Sequence, residues 1–154
     1  MALLGVADDT APFLFNMLDT SFHNIVIWDM VKGNGLNVLK VVSEYLFSYH
    51  NNDVVDTEFL VITQSPSDWE GLSEMGMGVT GKTSCIGVVP FHGNLVKDLL
   101  DSLVQWIRHQ EKFHGSKKPI MILVDELEHI NDLDEESQSN FHRILTGGRK
   151  RNVY

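Results

Sequence analysis

Pro119-Ile120-Met121-Ile122-Leu123-Val124-Asp125-Glu126 is apolar from Ile120 to Val124 without alternation and then ends in two carboxylates. A strand with one wet face alternates apolar and polar residues, whereas an unbroken apolar run of this length is buried on both faces, the habit of parallel sheets covered by helices. The same unalternating character marks Asn24 to Trp28, Glu58 to Thr63 and Cys85 to Val89. Between these runs the period changes. Leu36, Leu39, Val42 and Leu46 form one helical stripe, and Leu95, Leu99, Leu103 and Trp106 form another. Strands separated by helices predict an α/β domain with a mostly parallel sheet, right-handed crossovers and helices on both faces. In such sheets the chemistry sits at the carboxyl ends of the strands.

A last helix is predicted over roughly Glu136 to Leu145, closed by a left-handed cap at Gly147-Gly148. Asn152-Val153-Tyr154 reads as the opening of a further strand, which would make the chain a fragment cut before its last strand. The 154 residues, 43% of them hydrophobic, suit one domain over residues 1–154 with a single core. No run approaches the roughly 20 apolar residues that span a bilayer, and the amino terminus lacks the order of a signal peptide. The single cysteine, Cys85, has apolar neighbours and reads as a buried thiol in a reducing compartment.

The formal charge of −9, from 21 acidic against 12 basic residues, argues against a nucleic-acid ligand, whose affinity comes largely from Lys and Arg neutralising phosphates. What positive charge there is gathers at Arg143, Arg149, Lys150 and Arg151. It reads either as a solvated helix end or as an edge that meets a neighbouring subunit.

Three segments bear on chemistry. Asp125 and Glu126 end a buried strand after an αβ crossover, where a nucleotide hydrolase holds magnesium with the aspartate and polarises the attacking water with the glutamate. A phosphate loop belongs between an earlier strand and its helix, and Asp29-Met30-Val31-Lys32-Gly33-Asn34-Gly35-Leu36 stands in that place. Aligned on the helix, Asp29 and Asn34 occupy the glycine positions, Gly35 the lysine position and Leu36 the Ser/Thr position, so the charged and hydroxyl contacts to nucleotide are lost. Lys32 could supply charge from a different register.

Gly76-Met77-Gly78-Val79-Thr80-Gly81-Lys82-Thr83 satisfies G-x-x-x-x-G-K-[ST]. Its flanks are reversed, because a polar helical stretch is predicted over Asp68 to Met75 and a strand follows it. It reads as a glycine-rich connection, with Gly81, Lys82 and Thr83 as the alternative phosphate contacts. His92, His109 and His114 have no structural-zinc spacing and read as surface residues. No serine elbow or partnered cysteine supports nucleophilic hydrolysis.

In order and spacing these elements resemble the FtsK/SpoIIIE-type ATPase domains of the EccC/EssC family of type VII secretion, over nearly the whole chain. Leu4-Gly5-Val6-Ala7-Asp8-Asp9 is similar to the segment before that family's first strand, and residues 24 to 47 fall on its Walker A unit. Phe59 to Thr63 falls on the second strand. Ile86-Gly87-Val88-Val89, with a helix from Gly93 to Gln110, resembles the next strand and long helix. Asp125-Glu126 falls on Walker B, and Leu145-Thr146-Gly147-Gly148-Arg149 with Asn152-Val153-Tyr154 resembles the segment before the sensor strand. The resemblance implies a P-loop NTPase architecture of RecA/FtsK type, with ATP and magnesium as the ancestral ligands and Asp125 as the magnesium contact. It also implies a cytoplasmic position at the inner face of the membrane, reached through other parts of a longer anchored chain. The departures at Asp29, Asn34, Gly35 and Leu36 align it with the degenerate carboxy-terminal domains. Those serve substrate recognition or motor regulation with little hydrolysis of their own, against neighbouring ATPase domains and secreted proteins. An active ATPase that translocates protein or DNA is the alternative.

Overall fold

The computed structural model describes residues 2–6, 12–15, 34–51, 58–71, 85–110 and 119–153. Its centre is strand β3 (Glu58–Thr63), which pairs in parallel with β4 (Cys85–Pro90) on one side and β5 (Ile120–Val124) on the other. Val153 then forms a parallel bridge to Ile120 on the outer side of β5. The order across the sheet is therefore β4-β3-β5, with Val153 beyond. Two further strands, β1 (Ala2–Val6) and β2 (Pro12–Phe15), form a separate antiparallel pair that the sequence reading did not anticipate. The 24–28 run lies outside the described residues.

The alternation of β3 side chains decides what covers each face. Phe59 and Val61 point into one cluster with Leu36, Leu39 and Val42 of helix α1 (Asn34–Asn51), Trp69 and Leu123. Leu60 and Ile62 point into the other, against Val96, Leu100, Leu103 and Val104 of α2 (Leu95–Gln110) and Phe141 and Ile144 of α3 (Glu135–Gly147). Helices thus cover both faces, as predicted, and β3 needs no polar face because it has no wet side.

Connections of one hand must run on opposite faces when they lead in opposite directions across the sheet. The links through α2 and α3 carry the chain from β4 to β5 and on to Val153 over one face. The described start of the β3–β4 link, residues 64–71, lies on the other, where Trp69 is buried.

The helix ends follow the macrodipole. Asp98 lies in the first turn of α2 and Arg108 and His109 in the last. Asp134 caps α3 by accepting the Ser137 backbone N–H at 2.8 Å, and this bond holds its carboxyl below the usual carboxylate range. Lys97 reaches Asp134 at 3.6 Å and Glu136 at 3.5 Å, which raises the ammonium above its ordinary value. One turn on, Asn140 donates to Asp101 at 2.6 Å, so α2 and α3 lie side by side in the same direction.

Several expectations are corrected. Of the Asp68 to Met75 stretch, Asp68 and Trp69 belong to a 3₁₀ turn over Pro66–Trp69 rather than to an α-helix, Glu70 is extended, and residues 72–75 lie outside the described residues. Helix α2 begins at Leu95 rather than Gly93, whose φ of 79° belongs to the preceding turn. The left-handed cap predicted at Gly147-Gly148 is absent. Both are right-handed and continue into a 3₁₀ turn over Gly148–Arg151, and the left-handed residue is Asn152 at φ 58°.

Gly148 is instead a matter of space, since a Cβ there would stand 2.9 Å from the Val153 carbonyl oxygen. Gly148→Ala should therefore destabilise the fold by about 1–3 kcal/mol. Gly147→Ala, whose Cβ meets nothing within 4 Å, should be neutral or stabilise by about 0.4–1 kcal/mol. Urea denaturation of both variants checks the contrast, and equal midpoints would refute it.

Candidate functional site

The chain leaves β3 toward β4 and leaves β5 toward Val153, in opposite directions from two adjacent strands. In open parallel sheets the place outside the carboxyl ends of strands whose connections diverge in this way is the crevice where ligands bind. Asp125 and Glu126 leave β5 at this point, so the two carboxylates singled out by sequence stand at the topological switch point.

The crevice floor is tied across the two strands. The Asp125 backbone N–H donates to the Ile62 carbonyl at 2.9 Å. Thr63, the last residue of β3, is fully buried, and its hydroxyl donates to Asp125 Oδ2 at 3.3 Å while accepting the Ser65 backbone N–H at 3.0 Å. Thr63 thereby joins the Asp125 carboxylate to the turn that leaves β3.

Glu126 stands in the left-handed region, at φ 60° and ψ 58°, and starts the 3₁₀ turn Leu127–Asp132. Its Oε2 is buried and has no hydrogen-bond partner among the described residues. The turn is held from the β4 side. The His129 ring lies 5.8 Å from that of buried Phe91, and its Nδ1 meets Asp132 Oδ2 at 2.9 Å.

The electrostatics of this end are one-sided. Among the described residues in its loops and first helical turns the cation is Lys97, already engaged by Asp134 and Glu136. Around it stand Asp125, Glu126, Glu128, Asp132 and Glu135. A polyphosphate approaching the crevice meets negative potential unless charge comes from elsewhere.

Asn34, Gly35 and Leu36 prove to be the first turn of α1, and Leu36 packs against the core cluster beneath that helix. Asp29, Lys32 and Gly33 lie outside the described residues, as do Gly81, Lys82 and Thr83. Among the described residues no group of three or more His, Cys, Asp or Glu side chains is placed to hold a metal ion. Cys85 is buried, and desolvation pushes its thiol pKa up, which disfavours the nucleophilic thiolate. His92 and His109 are exposed, and His114 is outside the described residues. No described helix is long and apolar enough to cross a membrane.

Sequence reasoning found Asp125 and Glu126 but missed Thr63, Ser65, Phe91 and His129. Their shared signal is position, within a few residues of a strand's carboxyl end, and it becomes informative only when strand order is known. No protein-family model, no curated protein and no solved structure matches this chain.

A side chain in the left-handed region costs about 1–2 kcal/mol that glycine escapes. Glu126→Gly should therefore be more stable than Glu126→Ala by about 1 kcal/mol, reversing the usual order of the two residues. Thermal melts of the pair test it, and an alanine variant at least as stable as the glycine one would show that the backbone strain is relieved.

Proposed function

We propose that this chain is an ATPase-type α/β domain with a degenerate nucleotide site, acting in substrate recognition or motor regulation, as the resemblance to type VII secretion translocases implies. The observation that carries the reading is the coincidence of Asp125-Glu126 with the switch point between β3 and β5. An apolar strand capped by acids could end anywhere in a sheet. Here it ends where α/β domains bind ligands, with one carboxylate tied to Thr63 and the other presenting a buried acceptor.

The degenerate character is supported by charge. Hydrogen bonds to charged groups contribute about 1.5–3 kcal/mol each, and a phosphate loop supplies several together with a lysine. At Asn34, Gly35 and Leu36 the chain offers no cationic or hydroxyl side chain, and Leu36 is engaged in packing. Were ATP and magnesium held, Asp125 would be the metal contact and Glu126 the residue facing the attacking water. The surrounding acids weaken such binding. The domain's partners on this reading are neighbouring ATPase domains and exported proteins, with DNA disfavoured by the net charge of −9.

The second reading, an active ATPase, rests on the literal Gly76 to Thr83 pattern and needs Lys82, or Lys32, to supply the missing charge. Arg149 would not assist in its own domain, since it follows α3 toward the amino end of the sheet, away from the crevice.

Calorimetric titration with ATP and magnesium separates the two. The degenerate reading expects no saturable heat and no melting shift at millimolar nucleotide in wild type, Lys82→Ala or Glu126→Gln. Micromolar binding abolished by Lys82→Ala, with turnover lost in Glu126→Gln, would establish the active enzyme instead.

A further inference from the structure

A hydroxyl has one proton to give, and inside a core its few partners decide where that proton goes. Thr63 has no exposed surface. Its oxygen accepts the Ser65 backbone N–H at 3.0 Å, and its proton goes to Asp125 Oδ2 at 3.3 Å. The turn that begins at Ser65 is closed on itself, with the Asp68 N–H donating to the Ser65 carbonyl at 3.0 Å and the Glu70 N–H to the Ser67 carbonyl at 3.3 Å. It carries Trp69, which is 2% exposed and belongs to the core cluster of Phe59, Val61, Cys85 and Val42 of α1. Trp69 Nε1 has no hydrogen-bond partner among the described residues, so the ring is held by packing and by the turn that bears it.

We infer that Thr63 is a switch between the crevice and this turn: while Asp125 offers its carboxylate oxygen the hydroxyl holds the turn and Trp69 in place, and a cationic or proton-donating ligand that takes that oxygen releases them. Among the described residues the hydroxyl has no other partners. A proton turned away from Asp125 is therefore either left without an acceptor, which is unfavourable for a buried donor, or carried round by rotation of the hydroxyl, which breaks the bond to Ser65. The side-chain bond at 3.3 Å gives way more readily than the 2.9 Å bond from the Asp125 N–H to the Ile62 carbonyl, so the turn responds while β3 and β5 stay paired.

The inference rests on the crevice being the ligand site, and it gives a regulatory domain a means of passing occupancy of that site to the start of the β3–β4 link. It does not require nucleotide. Its test contains no ligand, so a null titration with ATP leaves it standing.

Native-state hydrogen exchange of the intact chain, read amide by amide, is the test. Asp125→Ala removes the acceptor without touching the turn. The Ser65 and Asp68 amides should exchange at least tenfold faster in it, after the change at Leu100 and Val104 in the middle of α2 is divided out as the measure of global stability. The same substitution should add less than twofold in a Thr63→Val background, or in Thr63→Ala if the valine variant does not fold. In Thr63→Ser, which keeps the hydroxyl, its full effect should return. Glu128→Ala, which removes an exposed acid from the neighbouring turn, should leave the two amides unchanged.

Unchanged exchange at Ser65 and Asp68 in Asp125→Ala would overturn the inference. So would a rise shared equally with Leu100 and Val104, which would mark a general loss of stability, or a tenfold effect that persists without the Thr63 hydroxyl.

Discussion

Strand β3 is the constraint on which the rest depends. Val61 and Ile62 have no exposed surface, and successive β3 residues feed two different cores, so a slip of one residue would exchange every partner at once. That register fixes β4 and β5 on either side, since each pairs with β3 over most of its length. It also fixes where β3 ends. Thr63 is the last position whose side chain is sealed in, and its hydroxyl is the first polar group the core gives up to the crevice. The placement of Asp125 is thus a consequence of packing several residues deeper.

A buried hydroxyl must find partners or lose about 1–3 kcal/mol. Thr63 finds them in Ser65 and Asp125, and the same bonds brace the site. Glu126 represents the opposite case. Three buried side-chain atoms lack a partner among the described residues: Trp69 Nε1, Ser137 Oγ and Glu126 Oε2. The first belongs to a side chain in the core beneath α1, and the second to the start of α3. Only the third combines an orphan acceptor with a strained backbone at the switch point, and strain and unmet polarity gather where a site must be ready for something else.

The apolar runs of β3, β4 and β5 were legible because burial on both faces leaves an unmistakable pattern, and the stripes of α1 and α2 were legible because period 3.6 survives in side-chain spacing. The β1–β2 pair was not, since Leu3-Leu4-Gly5-Val6 and Pro12-Phe13-Leu14-Phe15 are short and depend on each other for stability. Gly147-Gly148 misled for a different reason. Glycine after a helix signals either a positive φ or a close approach, and only the folded position of Val153 shows that the second applies. For the site, the acids of β5 were visible in the chain, but their neighbour Thr63 was not. Strand order places these residues together, and strand order is not written in any local pattern.

The polarity of the molecule arises from a local rule multiplied by topology. Each helix gains from acids in its first turn and cations in its last. In a parallel sheet the crossover helices all run the same way, so what steadies each helix separately adds up to a dipole for the whole domain. Asp98 in α2 and Glu135 and Glu136 in α3 follow the rule at the carboxyl end, and Arg108 follows it at the amino end. Helix α1 departs from it. Its first turn, Asn34-Gly35-Leu36-Asn37, carries no acid, although an acid there would stabilise the helix. The helix end that the resemblance aligns with a phosphate loop is therefore the one described α-helix start in the domain that is not loaded with negative charge. The macrodipole rule thus accounts for the starts of α2 and α3 and leaves that of α1 unexplained, with its amino-terminal partial charge uncompensated by any acidic side chain of its own first turn.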